Sequence, residues 1–308
     1  MKCLITGISG FVGAHLVEAL LAQGHSIVGI DAIAPANLSG VRFYQASLMD
    51  SVALKAVIND VAPERIIHLA SASSVGTSWE KPVDCFVNNT NIFLNLVEAV
   101  RSSKVSCRIL SVGSSEEYGP VTQKDLPLSE DRALYPMNPY AVARVAQEHL
   151  SRVYSQGYGL DIVCTRSFNH LGPGQSDRFV VSSFVRQAVE VSKGKRSAVT
   201  CGSLDIVRDF VDVRDVVSAY QLILDKGVSG GIYNVCSGRG VLLKDILATI
   251  CNKVGVPASF LRSDQLIRPI DNPVIVGCNA KLKQLGFSPV YSLDRSLDDL
   301  IGWWREKA

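Results

Sequence analysis

The octapeptide TGISGFVG, residues 6–13, constrains the fold more than any other stretch. It follows the apolar run KCLIT and leads into a helical pattern of apolar residues from Phe11 to Gln23. Its glycines stand at 7, 10 and 13. A strand that turns sharply into a helix needs a residue without a Cβ. The same bareness lets backbone N–H groups at the helix entry approach an anion. The third glycine allows the helix to pack close to the sheet. Between a strand and a helix, this triplet predicts a first βα turn that cradles a dinucleotide pyrophosphate. A helix-entry turn with no ligand is the alternative reading.

Beyond that turn, short apolar runs alternate with amphipathic stretches. SIVGID, RIIHLA, CRILSVGSS and LDIVCTRSF read as strands, while VALKAVINDV, NNTNIFLNLVEAVRS and the stretch around Tyr140 read as helices. Such alternation predicts a parallel sheet with helices on both faces. RIIHLA is apolar throughout, as a strand covered on both faces should be. After Asn169 the pattern loosens. NHLGPGQSDR is a Gly/Pro loop, DFVDVRDVVSAYQLILD has a helical period, GIYNVCSG reads as a further strand and LIRPIDNP as an extended segment. The expected architecture is α/β: a Rossmann-type doubly wound parallel sheet with a smaller, mixed α/β substrate-binding cap. Residues 1–168 would form the dinucleotide domain, 203–237 would return to it, and 169–202 with 238–308 would form the cap.

Composition removes several function classes. With 47% hydrophobic and 19% charged residues over 308 positions, the chain has material for a sizeable core. A formal net charge of +2 without a long basic run gives no support to nucleic-acid binding. No stretch approaches the roughly twenty apolar residues that span a bilayer, and MKCLITG lacks the features of a signal peptide. A cytoplasmic protein is expected. The eight cysteines are scattered, with no C-x-x-C pair and no Cys/His spacing, so no metal site is expected.

Two further features bear on chemistry. Asp31 closes SIVGID, where a carboxylate accepts hydrogen bonds from ribose hydroxyls and repels a 2′-phosphate. That favours NAD(H) over NADP(H). Tyr140 and Arg144 lie four apart in NPYAVARVAQEHL, so a helix puts them on one face. A cation beside a phenol favours its ionised form, although arginine is longer, planar and never gives up its proton. Ser114 ends the strand CRILSVGS, at the edge where ligands gather in open α/β sheets.

With TGISGFVG, GSSEEYG, TRSFNHLGPGQ, VRDFVDVRDVVSAY, YNVCSG and RPIDNP, nearly the whole chain resembles the extended short-chain dehydrogenase/reductase family (the NAD-dependent epimerase/dehydratases). The likeness is strongest to its GDP-6-deoxy-4-keto-mannose reductases. The resemblance implies reduction of the C4 carbonyl of a GDP-4-keto-6-deoxyhexose. Ser114 would hydrogen-bond the sugar oxygen, Tyr140 would exchange the proton, and Arg144 stands where relatives carry lysine. Glu116 matches a dehydratase glutamate, but the reductases resemble it there too. Gly7, Gly10, Phe11, Val12, Gly13, Asp31, Leu69, Ala70, Tyr140, Arg144 and His170 would contact the cofactor. Asn169 would meet the substrate, Arg208 and Arg268 would grip the diphosphate, and Asp271 would lie near the nucleotide ribose. Ser47 departs from the aspartate often found there. The family usually forms homodimers through two helices, here about 84–102 and 139–157, with Val142 and Val145 as contact candidates. A 4,6-dehydratase or 4-epimerase with retained NAD, and a non-catalytic sensor of nucleotide sugar and cofactor, stay open.

Overall fold

In the computed structural model, residues 1–35 and 39–307 are described, so the final residue of the expected cap lies outside them. The chain up to Ser167 supplies six strands of one sheet. Its elements run β1 (Lys2–Thr6), α1 (Phe11–Ala22), β2 (Ser26–Asp31), β3 (Val41–Gln45), α2 (Ser51–Val61), β4 (Arg65–His68), α3 (Val75–Glu80), α4 (Pro82–Ser103), β5 (Arg108–Ser114), α5 (Pro139–Tyr158) and β6 (Asp161–Ser167). The later elements are β7 (Asn169–Leu171), α6 (Val180–Ser192), β8 (Val199–Cys201), β9 (Val207–Asp212), α7 (Val213–Lys226), β10 (Ile232–Val235), β11 (Gly240–Leu242), α8 (Leu243–Val254), β12 (Phe260–Arg262), β13 (Val274–Ile275), α9 (Ala280–Gln284) and α10 (Leu293–Lys307).

Seven strands form a parallel sheet in the order β10-β6-β5-β4-β1-β2-β3. Side chains alternate between its faces with the period of the pleat. Ile5, Ile67, Leu110 and Val163 meet α1 and α7 on one side. Leu4, Ile66, Ile109 and Ile162 meet α2 and α4 on the other. Both faces are therefore dry, which explains strands apolar at every position. A second, smaller sheet joins β7, β9, β11 and β13, and its neighbouring core packs α6, α8 and α10 together. Within 203–237, α7 packs on the large sheet and β10 extends its edge, whereas β9 lies in the small sheet. The helical period read from Asp209 starts only at Val213; Asp209–Asp212 is strand, and Asp212 caps α7 by accepting the Arg214 N–H at 2.8 Å.

Two polar features sit inside the large-sheet domain. Arg166 of β6 forks onto Glu148 of α5, with Nε and Nη2 each 2.8 Å from a carboxylate oxygen. Both residues are buried, and Arg166 Nη1 also donates to the Glu130 carbonyl at 2.9 Å. The pair ties the middle of α5 to the sheet. His68, at the end of β4, is fully buried, with its Nδ1 2.8 Å from Thr6 Oγ1. Burial, helped by the positive charge of Arg144, pulls its imidazole down to about 3.

Breaking a buried pair leaves a stranded charge that costs about 3–5 kcal/mol. Glu148→Ala should lower unfolding free energy by about 3 kcal/mol in urea titrations, toward the lower end because the Glu130 carbonyl still holds Arg166. The His68 shift has a definite sign. The folded value lies below the unfolded one, so the unfolded chain takes up the extra proton. Stability from neutral His68 is complete above about 6.5 and is lost as pH falls toward about 3. Between pH 6.5 and 5, the urea midpoint of the wild type should fall more steeply than that of His68→Asn. Equal slopes would contradict this assignment.

Candidate active site

The glycine turn links β1 to α1. Gly7 has φ +72°, and a Cβ there would stand 2.6 Å from the Ala70 nitrogen, so only glycine lets β1 and the end of β4 converge. Gly13 serves a more local purpose than helix-to-strand packing: its Cβ would lie 2.3 Å from the Ile8 carbonyl, so it closes the helix onto its own turn. Gly10 is exposed, and Phe11 and Val12 are half-buried at the helix entry. The Leu69 N–H donates to the Thr6 carbonyl at 3.1 Å, which brings Leu69 and Ala70 beside the turn. Asp31, at the end of β2, accepts the Ser9 N–H at 3.1 Å.

The opposite wall comes from β7 and the chain that follows it. The His170 ring stacks on Phe11 at 6.0 Å with 11° between planes, and His15 Nε2 lies 2.8 Å from the Pro173 carbonyl. Burial holds the His170 imidazole below its ordinary value. A bare glycine cradle, free of side chains, with a carboxylate at the next strand end fits a nicotinamide dinucleotide.

The proposed catalytic residues lie at the ends of β5 and α5. Ser114 is the last residue of β5, and its Oγ accepts the Glu116 N–H at 3.2 Å. Tyr140, 7% exposed, sits in the first turn of α5 against Val75, Cys85 and Trp79. Arg144 is 4% exposed; its Nε donates to Tyr140 Oη at 3.2 Å, and its guanidinium lies 5.2 Å from the tyrosine ring centre. Among the described residues, no carboxylate forms an ion pair with Arg144. The nearby Glu117 is fully buried, its Oε1 accepting the Ser114 N–H at 2.5 Å. Burial and the Glu148 charge push its carboxyl well above the ordinary range, against the pull of Arg166 and Arg144.

A string of polar groups runs from Asn138 through Glu116, Arg268 and Asp271 to Arg208. Asn138 caps α5 by accepting the Ala141 N–H at 2.8 Å, and its Nδ2 donates to Glu116 Oε2 at 3.0 Å. Arg268 Nη1 lies 3.6 Å from Glu116 Oε1 and 3.8 Å from Asp271 Oδ1. Asp271 in turn accepts Arg208 Nη2 at 2.5 Å, while Arg208 Nη1 donates to the Asn272 carbonyl at 2.8 Å. Arg208 is thus buried with both terminal nitrogens bonded, and Arg268 is the looser, more exposed cation. Asn169 is exposed at the start of β7. Ser47 is exposed, its Oγ accepting the Met49 N–H at 3.2 Å.

Sequence reasoning passed over four residues of this cluster. Asn138 had a visible signal, since asparagine before proline at a helix start is a capping pattern. Asn272 binds the Gly119 carbonyl at 2.8 Å and accepts the Val121 N–H at 3.0 Å, a contact 151 residues apart that no local pattern reveals. Glu117 and Gln147 read as ordinary polar residues, and only the fold buries them.

The family model for GDP-mannose 4,6 dehydratase matches residues 4–300. GDP-6-deoxy-D-mannose reductase of Pseudomonas aeruginosa is 31% identical, across 99% of this chain and 98% of that protein. UDP-glucose 4-epimerase of Halalkalibacterium halodurans is 26% identical, across 99% and 96%. Among solved structures, RMD from Pseudomonas aeruginosa complexed with NADPH has a TM-score of 0.87 at 30% identity, covering 100% of this chain and 99% of that one. UDP-glucose 4-epimerase of Thermus thermophilus in complex with NAD has a TM-score of 0.91 at 30% identity, with both chains fully covered. The chain belongs to the GDP-mannose 4,6 dehydratase family, within the extended short-chain dehydrogenase/reductases.

Proposed function

We propose that this nucleotide-sugar oxidoreductase reduces the C4 carbonyl of a GDP-4-keto-6-deoxyhexose, using NAD(H) in preference to NADP(H). The observation that carries the direction is the Arg144–Tyr140 bond. A guanidinium has donors only. Tyr140 therefore accepts from Arg144 Nε, and its own O–H is left to donate elsewhere. Ser114 follows the same logic: its Oγ accepts from the Glu116 N–H, and its O–H is free for a substrate oxygen. Two hydroxyls poised to donate suit a carbonyl oxygen that is gaining charge.

A bound nicotinamide supplies the hydride. Tyr140 gives its proton to the alkoxide oxygen, and Ser114 stabilises that oxygen through its hydrogen bond. Asn169 and Glu116 face the sugar in this reading. Arg268 grips the diphosphate, trading loose contacts with Glu116 and Asp271 for phosphate oxygens. Arg208 is already held by Asp271 and backbone carbonyls, so it chiefly fixes the loop that carries Arg268. Gly7 and Gly13 let the turn of the cofactor cradle close tightly and Gly10 leaves its entry bare, with Phe11, Val12, Leu69, Ala70 and His170 as its walls. Asp31 carries the NAD(H) preference, and the NADPH bound to the Pseudomonas neighbour makes that preference a necessary test.

A homodimer through α4 and α5 completes the proposal. Val83, Phe86, Val87 and Val153 are exposed on these two helices; Val142 is 41% exposed and Val145 half-buried. A cytoplasmic location suits the free cysteines, which a reducing compartment preserves. Among the described residues, no helix is long and apolar enough to cross a membrane.

Incubation with NADH, or separately NADPH, and enzymatically made GDP-4-keto-6-deoxymannose tests the reaction. Stoichiometric loss of nicotinamide absorbance, faster with NADH, is the expected result. Tyr140→Phe should lower kcat by roughly 10²–10⁴-fold. Purified protein that carries NAD and interconverts sugars without net oxidation would instead make it an epimerase or 4,6-dehydratase. Binding of both ligands without turnover of any keto-sugar would make it a sensor.

A further inference from the structure

The buried groups behind Tyr140 show how an arginine is accommodated at position 144. Tyr140, Arg144, Gln147 and Ser151 recur at helical spacing on one face of α5, the face turned toward β5. Arg144 Nη1 donates to the Val112 carbonyl at 3.1 Å and to Gln147 Oε1 at 2.5 Å. With the Nε bond to Tyr140, three bonds fix the plane of the guanidinium. Its Nη2 makes no hydrogen bond among the described residues.

The orientation of the Gln147 amide follows from chemistry. A guanidinium only donates, so the amide oxygen must face it and the NH2 must face away. That NH2 meets two acceptors, Ser111 Oγ at 2.8 Å and the Val112 carbonyl at 3.1 Å. Ser151 Oγ closes the chain onto Ser111 Oγ at 3.1 Å. An ammonium at 144 has no plane to be fixed and is a shorter side chain. In its place Gln147 Oε1 would be a buried acceptor without its cation.

We propose that Gln147 is a positioning residue for Arg144 that aims Nε at Tyr140 and leaves Nη2 for the nicotinamide ribose. The proposal rests on α5 being the cofactor-facing catalytic helix. It makes arginine the working cation of this site and predicts that lysine does not improve it.

A double-mutant cycle on cofactor affinity provides the test, read by fluorescence titration with NADH or NADPH, whichever the wild type binds more tightly. Gln147→Met keeps the length and volume of the side chain and removes its amide. It should weaken binding on the order of tenfold, the scale of a lost bond to a charged group. Arg144→Lys should also weaken binding. In the Arg144→Lys background, Gln147→Met should cost nothing further, because the amide has no guanidinium to place. Gln147→Glu retains the acceptor and should bind within about threefold of the wild type, which separates positioning from packing. Equal losses from Gln147→Met in both backgrounds, or equal losses from the Met and Glu variants, would overturn the proposal. So would a gain in affinity from Arg144→Lys alone. The readout is independent of turnover: a coupled cycle in a protein that reduces no keto-sugar would support Gln147 as a positioning residue while removing the reductase reading.

Discussion

The attachment of α5 to the sheet by two buried guanidinium groups governs the rest of the site. One group belongs to the sheet and reaches the helix: Arg166 on β6 forks onto Glu148. The other belongs to the helix and reaches the sheet: Arg144 donates to the Val112 carbonyl on β5. Between them the helix has little freedom to slide or rotate. Tyr140 inherits that rigidity, since it lies one turn before Arg144 and is bonded to it. Asn138 fixes the same helix start from the other end and reaches Glu116, so the turn after β5 is set by the same anchor. Apolar packing alone would hold α5 against the sheet without specifying its rotation so closely. The polar contacts supply that specification.

The two walls of the cleft are held by different physics. On the cofactor side, shape dominates: bare glycines, close backbone approach, and the Phe11–His170 stack. On the side proposed for the substrate, charge dominates, and the charges differ in how firmly they are held. Arg208 is buried, so removal of Asp271 would leave a buried cation without its carboxylate. The Arg268 contacts are long and partly exposed, a class worth about 0–1 kcal/mol. A ligand with two phosphates can displace the second kind far more readily than the first. Arg208, on β9, is thus held as structure, whereas Arg268, in the segment before β13, is the more readily exchanged of the two.

Much of the fold was legible because its causes are local. The glycine triplet, the doubly apolar strands and the amphipathic helices each follow from a short-range rule, and each describes what the large sheet shows. The strand β9 was absorbed into a helix because DFVD runs without punctuation into the amphipathic period of α7. Its partners, β7, β11 and β13, are separated from it in sequence and give no local cue. Asp212, an aspartate ahead of an apolar period, was the available boundary signal. Of the chemistry, Tyr140 and Arg144 were visible as a spaced pair. Gln147 was not, because a glutamine three residues beyond an arginine on a helix is usually a solvated neighbour, and burial alone makes it a structural acceptor.

Arg144 leaves an electrostatic imbalance that bears on the direction of the proposed reaction. It is a buried cation with no ion-paired carboxylate among the described residues, and burial favours the neutral form of nearby Glu117. An isolated charge in such a place is costly until an anion forms beside it. In the proposed reaction, proton donation by Tyr140 would form that anion, at the atom already bonded to Arg144 Nε. The cation is then paired in the state reached after proton transfer, and less well paired before it. Catalysis requires interactions that strengthen along the reaction coordinate, and this one does so without moving any group. A carboxylate salt-bridged to Arg144 would have satisfied the cation from the start and removed that gain. Gln147, a neutral acceptor, fixes the guanidinium in place without neutralising it, and for that reason an amide serves this position better than an acid.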